Sequence, residues 1–135
     1  MSEIKVDTLT GKTTANDVTV TVGATATMSL EQGLAKAWVN FNGTGTIASR
    51  DSLGVSGLAD NGTGDYTVNL SNSMANVNYA VPSGGGFAYA NSGAHDTNVQ
   101  CYDMTTSLFD LAVGVISGSG ATKRDHSLNV AVAHG

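Results

Sequence analysis

Oxygen-bearing side chains alternate with glycines in the segment DNGTGD, Asp60–Asp65. A calcium loop supplies roughly six to eight oxygen ligands and usually a bidentate carboxylate further along the chain. The next acidic residue after Asp65 is Asp96, which is too distant to be that carboxylate. We therefore interpret the segment as a glycine-rich hairpin turn in which Asp60 and Asp65 bond to local backbone amides.

The three histidines do not predict a zinc site or a catalytic dyad. His95, His126 and His134 lack the short spacings of a zinc motif. Asp96 directly follows His95, but neighbouring residues of a strand point to opposite sides, so the two side chains would not meet. The sequence also contains no nucleophile elbow and no phosphate loop. We expect no enzymatic activity, no bound metal and no cofactor.

The single cysteine, Cys101, excludes an intramolecular disulfide framework. It lies in VQCYDM with apolar neighbours at alternating positions, which predicts a small buried hydrophobic side chain and not a reactive thiol. Stability must therefore come from packing or from assembly with other chains.

Charge limits the possible partners. The net charge of −5 argues against nucleic acid and against an anionic membrane surface. No apolar run approaches the ~20 residues of a membrane span, and the opening MSEIKVDTLT lacks the features of a secretory signal. Charged residues make up 13% of the chain, about half the usual share, which favours self-association because copies repel each other weakly. A polar, low-charge monomer is the alternative.

Alternation of apolar and polar residues at period two predicts an all-β chain. Two NGTG segments, at 42–45 and 61–64, predict hairpin turns because Asn-Gly adopts positive φ at little cost. A helix is expected only within residues 29–36, with Ser29 as its N-cap, and Gly33 limits it to one or two turns. The predicted strands are 17–22, 25–30, 37–41, 46–48, 54–58, 66–70, 78–81, 99–106, 108–116 and 128–133. This pattern predicts a jelly-roll-like antiparallel β-sandwich over residues 36–135, preceded by an extended N-terminal arm over residues 1–35.

The arm, residues 1–35, contains no aromatic residue and nothing larger than Leu or Met. Such a segment cannot build a core of its own, so we expect it to attach the protein to a partner surface and to other copies. The residues predicted to make this anchor are Ile4, Val6, Val18, Val20, Leu30 and Leu34.

The segment Ser83–Asp96 is rich in glycine and reads as a loop, yet it contains Phe87, Tyr89 and His95. Loops carry recognition while a rigid sandwich positions them, so these three residues are the predicted ligand contacts. The alternative is that Phe87 and Tyr89 alternate into the core as part of a strand.

Several phrases of the sequence are similar to a known family. KAWVNFNGTGTIA, DNGTGDYTVN and NYAV resemble the recurring β-domain of tail-fibre and related virion structural proteins of tailed bacteriophages. The opening SEIKVDTLTGKTTA resembles the attachment-side opening of virion proteins from such phages. The resemblance is strong between Lys36 and Val81, weaker over 83–121, and returns at 128–133.

This resemblance implies a virion location and a short tail-fibre or receptor-contacting module that forms a homotrimer. It implies contact with other virion proteins through the arm and with a host surface glycan or protein. In the family, sequences differ most after NYAV, as expected for host adaptation. A capsid decoration (cement) or head-fibre protein is the first alternative, and a carbohydrate-binding module is the second.

Overall fold

The computed structural model describes residues 4–11, 18–22, 26–86, 96–117 and 120–135. The chain divides into two compact units, Met1–Leu34 and Ala35–Gly135. This division lies one residue from the boundary expected between the arm and the sandwich.

The first unit contains a small β-hairpin. Strands β1 (Thr19–Val22) and β2 (Ala26–Ser29) pair antiparallel, and the amide of Leu30 donates to the carbonyl of Val18 over 2.7 Å. A single helical turn, α1 (Leu30–Gly33), follows. Residues 4–10 form no strand or helix.

The short helix predicted within residues 29–36 is present as a single turn with Ser29 at its N-cap position. It ends at Gly33 because the chain enters a strand at Ala35, where cross-strand pairing replaces helical hydrogen bonds. Ser29 precedes the helix with extended backbone, but its side chain makes no capping hydrogen bond.

The second unit is built from antiparallel strands. They are β3 (Ala35–Asn42), β4 (Ala48–Leu53), β5 (Val55–Gly62), β6 (Asp65–Leu70), β7 (Ser83–Gly86), β8 (Asp96–Tyr102), β9 (Leu108–Ser117), β10 (Gly120–Lys123) and β11 (Leu128–His134). One sheet has the order β4-β3-β11-β7. In the other sheet β9 pairs along one edge with β8 and along its opposite edge first with β6 and then with β10, while β5 lies outside β6.

The two sheets bury their alternating apolar residues against each other. In β3 the side chains of Ala37, Val39 and Phe41 are buried, and in β6 those of Tyr66 and Val68. The rings of Phe41 and Tyr66 meet edge to face, with centroids 5.2 Å apart, and so join the sheets. The buried apolar cluster is Ala37, Val39, Phe41, Tyr66, Val68, Leu70, Met74, Tyr79, Phe109, Leu111, Val113, Ala131 and Ala133. The predicted all-β class is thus confirmed, while the jelly-roll connectivity stays a prediction.

The strand predicted over 78–81 is wrong. Only Ala80 pairs there, through a single bridge to His134. The pattern did not predict strands β7 and β10, and it predicted only the first residue of β4. Each of these borders a strongly patterned strand, so the partner and not the local sequence determines the pairing.

The two NGTG segments form different turns. In the second, β5 and β6 are joined by the two residues Thr63 and Gly64, which makes a tight hairpin. The first opens a five-residue connection between β3 and β4, where Oδ1 of Asn42 accepts from the amide and hydroxyl of Thr44. Both segments therefore lie in hairpins, as predicted, and only the second is a two-residue turn. Positive φ falls on Gly45, Gly62 and Gly64 and not on Asn42 or Asn61, so the Asn-Gly pairs are not the turn centres that the sequence indicated.

Candidate functional site

The predicted ligand residues Phe87, Tyr89 and His95 lie outside the described part of the chain. The loop assigned to Ser83–Asp96 is wrong at both ends, because Ser83–Gly86 is strand β7 and Asp96 is the first residue of β8. Strand β7 has almost no side chains of its own, and its backbone pairs with Leu128–Ala131 of β11. The prediction of a loop rested on the glycine content, and it was wrong for Ser83–Gly86 because this segment is an edge strand.

The structure has a depression on the outer face of the sheet that contains β8, β9 and β10. The core side chains of β8 are Val99 and Cys101, so the alternate residues Asn98, Gln100 and Tyr102 face outward. In register with them on β9 lie Gly114, Ala112 and Asp110. Lys123 pairs with Gly114 and Asp65 with Ala112 on the other side of β9. We name this surface the outer trough, consisting of Asn98, Gln100, Tyr102, Ala112, Gly114 and Lys123.

Small residues lie in the middle of the outer trough. Ala112 and Gly114 lie on the middle strand. The short side chain of Ala112 leaves the depression open, whereas Gly114 is buried and a Cβ there would lie 2.4 Å from the carbonyl oxygen of Thr122 on β10. A depression of about 490 Å³ lies over Gln100, Tyr102, Ala112 and Lys123. A smaller one of about 190 Å³ adjoins it towards Asn98 and shares Gln100, Ala112 and Lys123.

Asp65 connects Tyr102 on β8 with Lys123 on β10, on opposite sides of the outer trough. It accepts hydrogen bonds from the Tyr102 hydroxyl and from Nζ of Lys123, the latter at 2.5 Å. The hydrogen bond from Lys123, followed by that from Tyr102, lowers the pKa of the Asp65 carboxyl. The same bond to Asp65 raises the pKa of Tyr102, so its phenol stays protonated. Lys123 Nζ also lies 5.9 Å from the centroid of the Tyr102 ring.

A second polar chain continues along this face. Asn61 donates to Thr67 Oγ1 over 2.8 Å, and the Thr67 hydroxyl donates to Oδ1 of Asp110 over 2.6 Å. These bonds hold the side chains beside the outer trough in defined positions, as a binding surface requires.

The turn at Asp60–Asp65 is only partly as predicted. Oδ1 of Asp60 accepts from the amide of Gly62 over 2.9 Å, which confirms the local bond expected for Asp60. Asp65 instead faces Tyr102 and Lys123, and the amide of Gly64 is bound by Oδ1 of Asp125 over 2.7 Å. Among the described residues, no group of three or more His, Cys, Asp or Glu could hold a metal ion.

Cys101 is partly buried and packs against the core beneath the outer trough. Burial, followed by the nearby carboxylate of Asp110, raises the pKa of its thiol to about 11. A thiol with that pKa stays protonated at neutral pH and is a poor nucleophile, consistent with the structural interpretation of this residue.

The predicted anchor residues differ in exposure. Ile4 is 86% exposed, Val6 59% and Leu34 57%, whereas Val18, Val20 and Leu30 are half-buried around the small hairpin. Leu9 and Met28 are also exposed large apolar residues of the first unit, and the sequence analysis did not include them.

Sequence reasoning missed the residues of the outer trough. The alternation of Asn98 and Gln100 with Val99 and Cys101 was a usable signal for an outward polar row. No local signal connects that row to Asp65 and Lys123, which reach it only through the pairing of β9 with β6 and β10.

Within the described residues, none of the helical structure is long and apolar enough to span a bilayer. Comparison with known proteins found no family model, no curated protein and no solved structure that matches this chain.

Proposed function

We propose that this chain is a virion structural protein of a tailed bacteriophage, without enzymatic activity. It serves as a trimeric short tail-fibre module that contacts the host receptor and attaches to other virion proteins through its N-terminal unit. The observation that carries the proposal is the set of exposed apolar side chains in that unit, in a chain whose sequence resembles phage virion proteins.

The exposure of these side chains calls for a partner. Ile4, Val6 and Leu34 are each more than half exposed, and covering such a side chain contributes roughly 1.5–3 kcal/mol. The second unit has a buried core of its own, so it does not need the first unit to supply apolar residues. An attachment segment beside a self-contained β-domain is the organisation that a fibre module requires.

The capsid decoration protein is the second candidate, because an arm with exposed apolar side chains also suits a shell surface. Immunogold labelling of purified particles distinguishes the two candidates. Labels at the tail tip support the fibre module, and labels spread over the capsid support the decoration protein.

Attachment is tested by deleting residues 2–30 and measuring incorporation into particles. We expect incorporation to be lost while the β-domain keeps its melting transition. A finer test replaces Ile4 and Val6 with serine, and the matched control replaces the exposed Thr8 with serine. Incorporation of the deletion variant at the normal level would show that the first unit is not the anchor.

A further inference from the structure

We propose that the outer trough binds a neutral oligosaccharide. This inference deepens the proposed receptor contact and rests on that function, but it locates the contact on the outer face of a sheet and not in the segment that contains Phe87, Tyr89 and His95. The argument uses the shape of the outer trough, its hydrogen-bonding groups and its charge.

The shape suits a small extended ligand. The larger depression, about 490 Å³, is shallow and open to solvent, and the smaller one, about 190 Å³, extends it along the strands, so a ligand would lie along the face of the sheet with one side exposed. The floor is the methyl group of Ala112, and the neighbouring Gly114 is buried against the backbone of Thr122. The Tyr102 side chain limits one end, where its hydroxyl reaches across to Asp65.

The walls offer groups that match sugar hydroxyls. The side chains of Asn98 and Gln100 form one wall, and neither is hydrogen-bonded to another of the described residues. A primary amide donates and accepts at once, which is what a pair of neighbouring hydroxyls requires. Because the two residues are spaced i and i+2 on β8, their amides follow the direction of the depression.

The charge at the outer trough selects against anions. Lys123 is its only cation among the described lining residues, and the carboxylate of Asp65 neutralises it at 2.5 Å. Asp110 adds a negative charge at the Tyr102 end. An acidic sugar would be repelled, because the surface has more carboxylates than ammonium groups. A neutral sugar carries no charge and is not repelled.

The test is titration of the isotopically labelled full chain, followed by amide NMR spectra. The neutral probes are maltotriose and tri-N-acetylchitotriose, and sialyllactose is the acidic probe. We expect at least one neutral probe to shift the amide signals of Asn98, Gln100 and Ala112 with a dissociation constant near or below about 1 mM.

The decisive variant is Ala112→Gln, which fills the floor of the outer trough. Its matched control is Ala59→Gln, since Ala59 pairs with Thr67 on the outer face of the same sheet, outside the trough. We expect affinity to fall by about tenfold or more in Ala112→Gln and by less than about twofold in Ala59→Gln. If Ala112→Gln does not fold, Gln100→Ala is measured in its place, because this exposed residue can be shortened without a cavity.

Three results would overturn the site. They are the absence of shifts in these amides with both neutral probes, full affinity in the filled variant, and tighter binding of sialyllactose than of the neutral probes. Loss of particle incorporation by the first unit's variants is a separate measurement, so failure of the sugar site is distinguishable from failure of the virion role.

Discussion

Tyr66 joins the two sheets by both its ring and its hydroxyl. The ring is fully buried against Phe41, and the hydroxyl is shared between the carbonyl of Gly43 at 3.1 Å and Oδ1 of Asp125 at 2.8 Å. Burial and the neighbouring carboxylate raise the pKa of Tyr66, so it remains a donor at all ordinary pH values. Asp125, in the loop before β11, thereby fixes both Tyr66 and the turn at Gly64.

Replacing Tyr66 with phenylalanine should lower the free energy of unfolding by about 1–3 kcal/mol, because a buried acceptor loses its donor while the ring packing is kept. Urea denaturation measures the loss. Tyr102→Phe is the matched control, since its hydroxyl also bonds to a carboxylate but on the outer face, where water can replace it. Equal losses in the two variants would contradict the role given to burial.

His126 should make stability depend on pH below about pH 6.5, the pKa of histidine in the unfolded chain. The side chain is fully buried, and burial lowers its pKa; the carboxylate of Asp125 opposes this shift, and the charge of Arg124 adds a smaller lowering. Above the unfolded pKa of about 6.5 both states are neutral. As the pH falls below it, the unfolded chain binds a proton that the folded chain resists, so stability decreases, by at most about 1.4 kcal/mol per pH unit.

Chemical denaturation at several pH values tests this, with His126→Gln as the comparison. In the variant, the free energy of unfolding should change less steeply with pH than in the original protein, whatever its absolute value. Carboxylates such as Asp65, whose pKa is lowered, lose their contribution only below about pH 4 and do not interfere. An identical slope in both proteins would exclude His126 as the cause.

At the scale of elements, the identical NGTG segments provide a controlled comparison. Gly45 and Gly64 each end their segment with positive φ, +65° and +62°. A Cβ on Gly45 would meet nothing within 4 Å, whereas a Cβ on Gly64 would lie 2.2 Å from the carbonyl oxygen of Val113. The tight β5–β6 hairpin therefore packs against β9 at Gly64, whereas the β3–β4 connection is open at Gly45 although its first residue, Gly43, packs against Tyr66.

Gly45→Ala should cost about 1–2 kcal/mol, the penalty for positive φ alone. Gly64→Ala should cost several times more or prevent folding, because the Val113 carbonyl belongs to a central strand that cannot move away freely. Thermal denaturation of the two variants measures the difference. Similar melting temperatures would mean that the hairpin is not held against β9.

Strands could be predicted from the sequence where one face enters the core. The prediction for β11 was one residue short, and that for β9 also missed only its last residue, because their alternating side chains pack between the sheets. All six residues of β4 are exposed and β7 reads SGGG, so neither carries an apolar signal. They are strands because β3 and β11 offer them free edges. Pairing of that kind depends on the assembled sheet and not on the local sequence. The outer trough could not be predicted either, because its residues come together only through the pairing of β8 and β10 with β9.

At the scale of the whole molecule, the low charge and the exposed apolar residues of the first unit call for a partner surface, and the resemblance to phage fibre proteins makes a homotrimer the expected assembly. Analytical ultracentrifugation at micromolar concentration should give a mass of three 13.7 kDa chains. The fragment Ala35–Gly135 should sediment as a monomer and keep a cooperative melting transition, because it contains the complete buried cluster. A monomeric full chain would contradict the prediction, and an unfolded fragment would contradict the independence of the sandwich.

The pairing of β3 with β11 has a mechanical consequence. Their register places Ala35 opposite His134, so the sandwich's first and last residues lie at the same end of an antiparallel pair. Tension applied between these two points would peel β3 from β11 one cross-strand pair at a time, which is the weakest direction in which to load a sheet. Tension that enters at Ala35 and leaves through a ligand on β8 would instead pass through the packed interior between the sheets. A molecule pulled by its ligand would therefore resist far more force than the same molecule pulled by its two ends.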